Sequence, residues 1–297
     1  MFKMSEYSFM AGLISVGLAL LCYVAAFASV RLARRQSALA IEGGASVMSG
    51  ESVEVTRGPS GLAGYGSLIA WLALIFVSAA LIFRTIYVGH GPFANMYEFS
   101  IAFAWGILAA HVYFERRYHL RALGLIALPV ALLLLLYATT IPSTSDPLVP
   151  ALQNNLLLTT HVAVAIVAYG GFAVAFAAAL LHLVASYTGS RRLPRQELLD
   201  EISYRAVVIG FPFLTLTIVL GAMWANVAWG RYWGWDPKET ASLVTWLIYG
   251  AYLHARVVRG WRGNRAAWLL VAGFAATLFT YFGNLFFGGL HSYAGLN

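Results

Sequence analysis

Long stretches almost free of charge constrain this chain more than any other feature. Eight of them follow one another, at about Phe9–Val30, Leu68–Tyr87, Phe99–Tyr113, Ala122–Thr140, Leu156–Tyr187, Ala206–Asn226, Ala241–Val258 and Ala266–Phe287. About twenty apolar residues wound as a helix match the ~30 Å hydrocarbon thickness of a bilayer. Inside lipid a backbone has no water to bond, so a spanning segment closes its hydrogen bonds on itself as a helix. Only 10% of the residues are charged and 60% are hydrophobic, against about 25% charged in soluble proteins. The expected fold class is therefore all-α, a polytopic integral membrane helical bundle of about eight transmembrane helices. The third and seventh stretches are short, and the fifth is long enough to tilt or protrude.

The positive charges set the expected orientation. Arg31, Arg34, Arg35 and Arg57 fall in the first connection, and Arg116, Arg117 and Arg121 in the third. Arg191, Arg192, Arg195 and Arg205 fall in the fifth; Arg256, Arg259, Arg262 and Arg265 in the seventh. The opposite side keeps only Lys3, Arg84, Arg231 and Lys238. Basic residues stay cytoplasmic, so the odd connections are expected inside and both termini extracytoplasmic. A net charge of +7 spread this way sets topology and gives no reason to expect nucleic acid. Cys22 is the single cysteine, which excludes an intrachain disulfide and any CxxC chemistry. The N-terminus lacks the pattern of a cleaved signal, so the first helix is expected to be retained. Gln36–Gly66 is rich in Gly and Ser and reads as a flexible cytoplasmic connection. Together with the first helix it makes a unit of residues 1–66, ahead of a transmembrane domain of residues 67–297.

One connection is unlike the rest. Trp229-Gly-Arg-Tyr-Trp-Gly-Trp-Asp-Pro-Lys-Glu239 holds three tryptophans and two acids between two apolar helices. Tryptophans at headgroup depth are ordinary interfacial anchors. Interleaved with Gly230, Gly234 and Pro237, however, Trp229, Trp233 and Trp235 form a shaped aromatic surface suited to a large flat ligand. Asp236 and Glu239 can accept from loop N–H groups or cap the helix that starts near Pro237. Arg84, Arg231 and Lys238 are the cations expected near this face besides Lys3, and hence candidates for an anionic ligand edge.

The seven histidines sort by depth. An imidazole in or near a bilayer is costly unless it is paired or liganded. His119 reads as solvated, His111 and His182 as packing groups near inner helix ends, and His90 as a loop-shaping residue. His161, shortly after Gln153-Asn154-Asn155, and His291, beyond the last helix, are expected at the same outer depth as the tryptophan loop. They read either as interfacial histidines or as two axial ligands of a haem iron under tryptophan cover. His254 lies near the inner end of the seventh helix, where hydrogen bonding between helices and a second, deeper haem position are both open.

Residues 229–239 resemble the WGxxWxWDxxE signature of the WWD family of haem-handling proteins. Over residues 65–297 the chain resembles its CcsA/ResC branch, also named CcsB, of the System II cytochrome c biogenesis pathway. That resemblance implies haem export and covalent attachment to the CxxCH motif of an apocytochrome c, as one subunit of a holocytochrome c synthase. It implies haem b in transit as the cargo and a ResB/CcsB-type membrane partner with an extracytoplasmic domain. The setting it implies is a bacterial cytoplasmic or thylakoid-type membrane. By the same resemblance His161 and His291 match the external axial ligands, and His254 matches an intramembrane ligand whose counterpart comes from the partner. A CcmC-like protein loading haem onto a carrier is the alternative within the family, although its pattern has six spans. A secondary transporter with an aromatic gate, or a membrane haem subunit that only transfers electrons, are alternatives outside it.

Overall fold

A computed structural model describes residues 1–42, 60–144, 152, 155–189, 193–283 and 286–291. Among these the chain forms eight α-helices and no strand. They are α1 (Phe2–Glu42), α2 (Ser60–Val88), α3 (Met96–Tyr118), α4 (Gly124–Thr139, after a 3₁₀ turn at Arg121–Leu123), α5 (Asn155–Thr188), α6 (Gln196–Trp229), α7 (Pro237–Val258) and α8 (Asn264–Phe282). Each expected span has its helix. Six, all but α3 and α7, are long and apolar enough to cross a membrane. α3 ends in Glu115, Arg116 and Arg117, and α7 begins with Lys238 and Glu239; these charges at the helix ends shorten the apolar run of each. The last helix stops at Phe282, earlier than expected, and a turn follows over residues 286–291. The first helix continues to Glu42 and the second begins at Ser60, so helix takes up both ends of the expected flexible connection. Residues 43–59 of that connection, with Arg57, Gln153, Asn154, Arg191 and Arg192, lie outside the described residues.

Helix ends form where local chemistry supplies partners. Asn95 caps α3 by accepting from the Glu98 N–H at 2.9 Å, and His119 closes it in the left-handed region. Gly230 ends α6 at φ +71°, a conformation that costs glycine little. α7 starts on Pro237 behind a capping box made by Asp236 and Glu239.

Lipid tails are as apolar as leucine, so helices associate in a membrane by close packing more than by hydrophobic burial. Small residues make that approach possible. A Cβ on Gly170 would meet the Gly106 carbonyl oxygen at 2.5 Å, and one on Gly210 would meet the Ala168 carbonyl oxygen at 3.1 Å. α5 thereby beds its backbone against α3 on one side and α6 on the other. Its Ala173, Ala175, Ala177 and Ala178 are fully buried. At 34 residues each, α5 and α6 are about 50 Å long, well beyond a hydrocarbon core. The N-terminal part of α5 and the C-terminal part of α6 carry the site.

Candidate functional site

Successive helices alternate in direction, so the N-terminal ends of α3, α5 and α7 meet the C-terminal ends of α6 and α8 at one end of the bundle. Between them opens a cleft of about 930 Å³, its mouth included. Met96, Phe99, Phe103, Leu158, Val162 and Ala165 make its walls apolar, and His161, Trp224, Trp233, Lys238, Glu239 and His291 supply its polar and aromatic groups.

His161, in the N-terminal part of α5, places Nδ1 2.9 Å from the Thr217 carbonyl oxygen of α6. A carbonyl only accepts, so Nδ1 carries the proton and Nε2 the lone pair. Gly221, one turn further along α6, makes this reach possible: a Cβ there would stand 2.7 Å from His161 Cε1.

His291 is held from the other side. Its Nδ1 lies 2.9 Å from Asp236 Oδ1 and its backbone N–H points at Oδ2 at 3.4 Å. Burial pushes the Asp236 carboxyl up, but hydrogen bonding from His291 and the N–H groups of Lys238 and Glu239 overrules it, so the group sits below its ordinary range. Burial lowers His291, against the pull of Asp236. An ionised carboxylate accepts from Nδ1–H, so in His291, too, Nε2 is the nitrogen with the lone pair.

Trp224 packs near both imidazoles. Its ring is parallel to that of His161, 8° between planes and 6.5 Å between centroids, and 5.7 Å from that of His291. The sequence reading missed it, absorbing it into the sixth apolar run; the available signal was a second tryptophan a turn and a half before Trp229. The expected loop tryptophans take three different places. Trp229 meets His291 edge-on at 4.9 Å. Trp233 lines the cleft, with its indole Nε1 buried and without a hydrogen-bond partner among the described residues. Trp235 is 69% exposed and outside the cleft, edge-on to Trp233 at 5.7 Å. Its φ of +54° is unusual for so bulky a residue. The Glu239 carboxylate fixes the backbone around it, accepting from Gly234 N at 2.8 Å and Asp236 N at 3.2 Å. Asp236 and Glu239 therefore act both as helix caps and as loop acceptors.

The three candidate cations separate likewise. Arg84 is buried, paired with Glu98 at 2.8 Å and bonded to the Ser143 carbonyl at 2.7 Å. Arg231 is exposed beside Gly234. Lys238 lines the cleft, its ammonium 5.5 Å from the Phe99 ring centroid.

The other histidines lie elsewhere. His90 binds the Gly91 carbonyl at 2.8 Å and shapes its loop. His111 is fully buried, 3.1 Å from Glu115. His182 bridges the Gln196 carbonyl and Asn264. His119 is exposed, as is His254 on the outer surface of α7, away from the cleft.

Fold and cleft define an integral, multi-pass helical membrane protein with a histidine–tryptophan pocket at one end. The family model for "Cytochrome C assembly protein" matches residues 93–291, and the chain belongs to that family. It is 39% identical to the cytochrome c biogenesis protein CcsA of Guillardia theta over 262 residues, 79% of this chain and 86% of that one. It is 36% identical to CcsA of Microcystis aeruginosa over 289 residues, 78% of this chain and 88% of that one. Among solved structures, the cytochrome c haem lyase CcmF superposes with a TM-score of 0.60 over 93% of this chain at 21% identity. At that identity the likeness shows a shared fold. This chain spans 46% of CcmF.

Proposed function

We propose that the cleft presents haem b, as a substrate in transit, for covalent attachment to an apocytochrome c on the extracytoplasmic face. The observation that carries this reading is the matched dressing of His161 and His291. Each donates Nδ1–H to an oxygen of the protein, which makes Nε2 the nitrogen with the lone pair that a metal would take. This is how iron- and zinc-binding imidazoles are oriented and made more basic. Trp224 and Trp229 pack beside the two rings, and the apolar walls suit a macrocycle. The unpartnered Trp233 Nε1 is a buried donor that a ligand would satisfy.

In thioether formation a cysteine S–H adds across a vinyl double bond. Sulfur bonds one carbon, hydrogen goes to the other, and no net oxidation occurs. This chain contributes no nucleophile to that step, and its residues serve by positioning. His161 and His291 fix the haem plane, and the apolar cleft keeps water off it. The partner, by resemblance, is a ResB/CcsB-type subunit of a System II synthase in a bacterial cytoplasmic or thylakoid-type membrane. Residues 67–297 form the haem-handling domain, with residues 1–66 an added helix and connection. His254, exposed on α7, fits a transit ligand whose second axial group comes from outside this chain. The positive charges of the odd connections support placing the cleft outside.

The test is the absorption spectrum of the protein purified with its partner, where six-coordinate low-spin b-type haem is expected. Changing either His161 or His291 to Ala should lose that spectrum and stop holocytochrome c assembly. Normal assembly in the double variant sinks the ligand assignment. If His254→Ala still fills the outer site, the transit role is wrong.

A further inference from the structure

Resting on the haem reading of the cleft, we infer that Lys238 and Trp233 form its carboxylate-binding end and hold a propionate of the porphyrin. Both belong to the loop and first turn that close the cleft, and both line it. Lys238 brings an ammonium that makes no ion pair among the described residues, its contact there being the face of Phe99 at 5.5 Å. Trp233 brings Nε1–H, a donor-only group, shut off from solvent and lacking an acceptor. Leaving a buried donor unmade is costly, and an ammonium that shares the cleft with an unpartnered buried indole N–H calls for an anionic acceptor. A carboxylate has two oxygens and suits both at once: one accepts a charge-assisted bond from the ammonium, the other a bond from the indole. Arg84 is committed to Glu98 and Arg231 is exposed, so neither competes for the role. The pocket thus selects an amphipathic macrocycle with an ionised edge over a neutral one of the same shape.

The test titrates the full-length protein in detergent with iron protoporphyrin IX and, separately, with its dimethyl ester. Each affinity is followed by the Soret band, in wild type and in Lys238→Met, Lys238→Arg and Trp233→Phe. Each porphyrin partitions into the micelle equally for all variants, so a change in the acid-to-ester ratio reports the site. Wild type is expected to prefer the free acid by roughly ten- to a hundred-fold, the worth of hydrogen bonds to a charged group. Lys238→Met should abolish most of that preference, Trp233→Phe should reduce it several-fold, and Lys238→Arg should retain it. Equal binding of acid and ester by wild type, or an unchanged ratio in both Lys238→Met and Trp233→Phe, overturns the inference. The ligation reading is tested separately by spectral shape. Loss of the low-spin spectrum in wild type with acid preference intact would refute bis-histidine ligation and leave the carboxylate end standing. The reverse result would refute the carboxylate end alone.

Discussion

Neighbours decide which nitrogen His161 and His291 present. Asp236 does two jobs for His291: its charge orients the ring, and its oxygens cap α7. Asp236→Asn keeps an equally good cap but gives Nδ1–H a neutral acceptor. Haem retention is expected to fall about 10- to 100-fold, with little change in thermal stability. Asp236→Ala should show the same loss and cost about 1 kcal/mol of stability as well, read by thermal unfolding. Lys238 gives a pH dependence. Burial lowers it to about 8 against the attraction of Asp236; Glu239, His161 and His291 line the same cleft. Its charged form binds carboxylate and is lost as pH rises through 8. Affinity for the free-acid porphyrin should therefore hold through neutrality and fall above about pH 8, while affinity for the ester holds throughout. A flat acid curve up to pH 9.5 would contradict the assignment.

At the scale of elements, the cleft depends on how α3 is docked. Met96 and Phe99 of its first turns line the cleft, while Glu98 between them takes Arg84 of α2 on one oxygen and the Ala94 N–H on the other at 2.8 Å. Arg84 in turn holds the carbonyls of Ser143 and Thr144, past the end of α4. Both partners of this pair are at most 3% exposed. Removing one leaves the other charge buried and uncompensated, at a cost of about 3–5 kcal/mol. Arg84→Met is thus expected to lower the unfolding midpoint sharply, and the double variant Arg84→Met with Glu98→Leu to recover much of the loss. A double variant as unstable as the single one would mean that the pair contributes geometry beyond neutralising charge. The small-residue contacts of α5 act likewise at this scale, because Gly106, Gly170 and Gly210 set the helix spacing on which the cleft width rests.

For the whole molecule, the orientation read from arginines can be tested directly, because Cys22 is the sole cysteine. On a Cys22→Ala background, Arg231→Cys should react with a membrane-impermeant maleimide in intact cells, and Arg262→Cys only after permeabilisation. The reverse pattern would place the cleft on the cytoplasmic side. Much of the architecture was legible without coordinates, since hydropathy is a local property and each helix satisfies its own backbone. Eight runs became eight helices, their bounds misjudged chiefly at Glu42, Ser60 and Gln196, where apolar character and helical geometry part company. The tryptophan loop and the common depth of His161 and His291 were legible too, through charge asymmetry and spacing. Other features depend on side chains brought together from distant segments. Pairing His161 with Thr217 and His291 with Asp236, packing Trp224 near both, turning Trp235 out of the cleft and singling out Lys238 among three cations required the packed bundle. The sequence by itself determined how many helices there are and which ends share a face, because transfer into lipid is counted residue by residue. Only the tertiary structure decided which nitrogen each imidazole offers and which donors are left for a ligand, because hydrogen bonds are directional and are settled between helices.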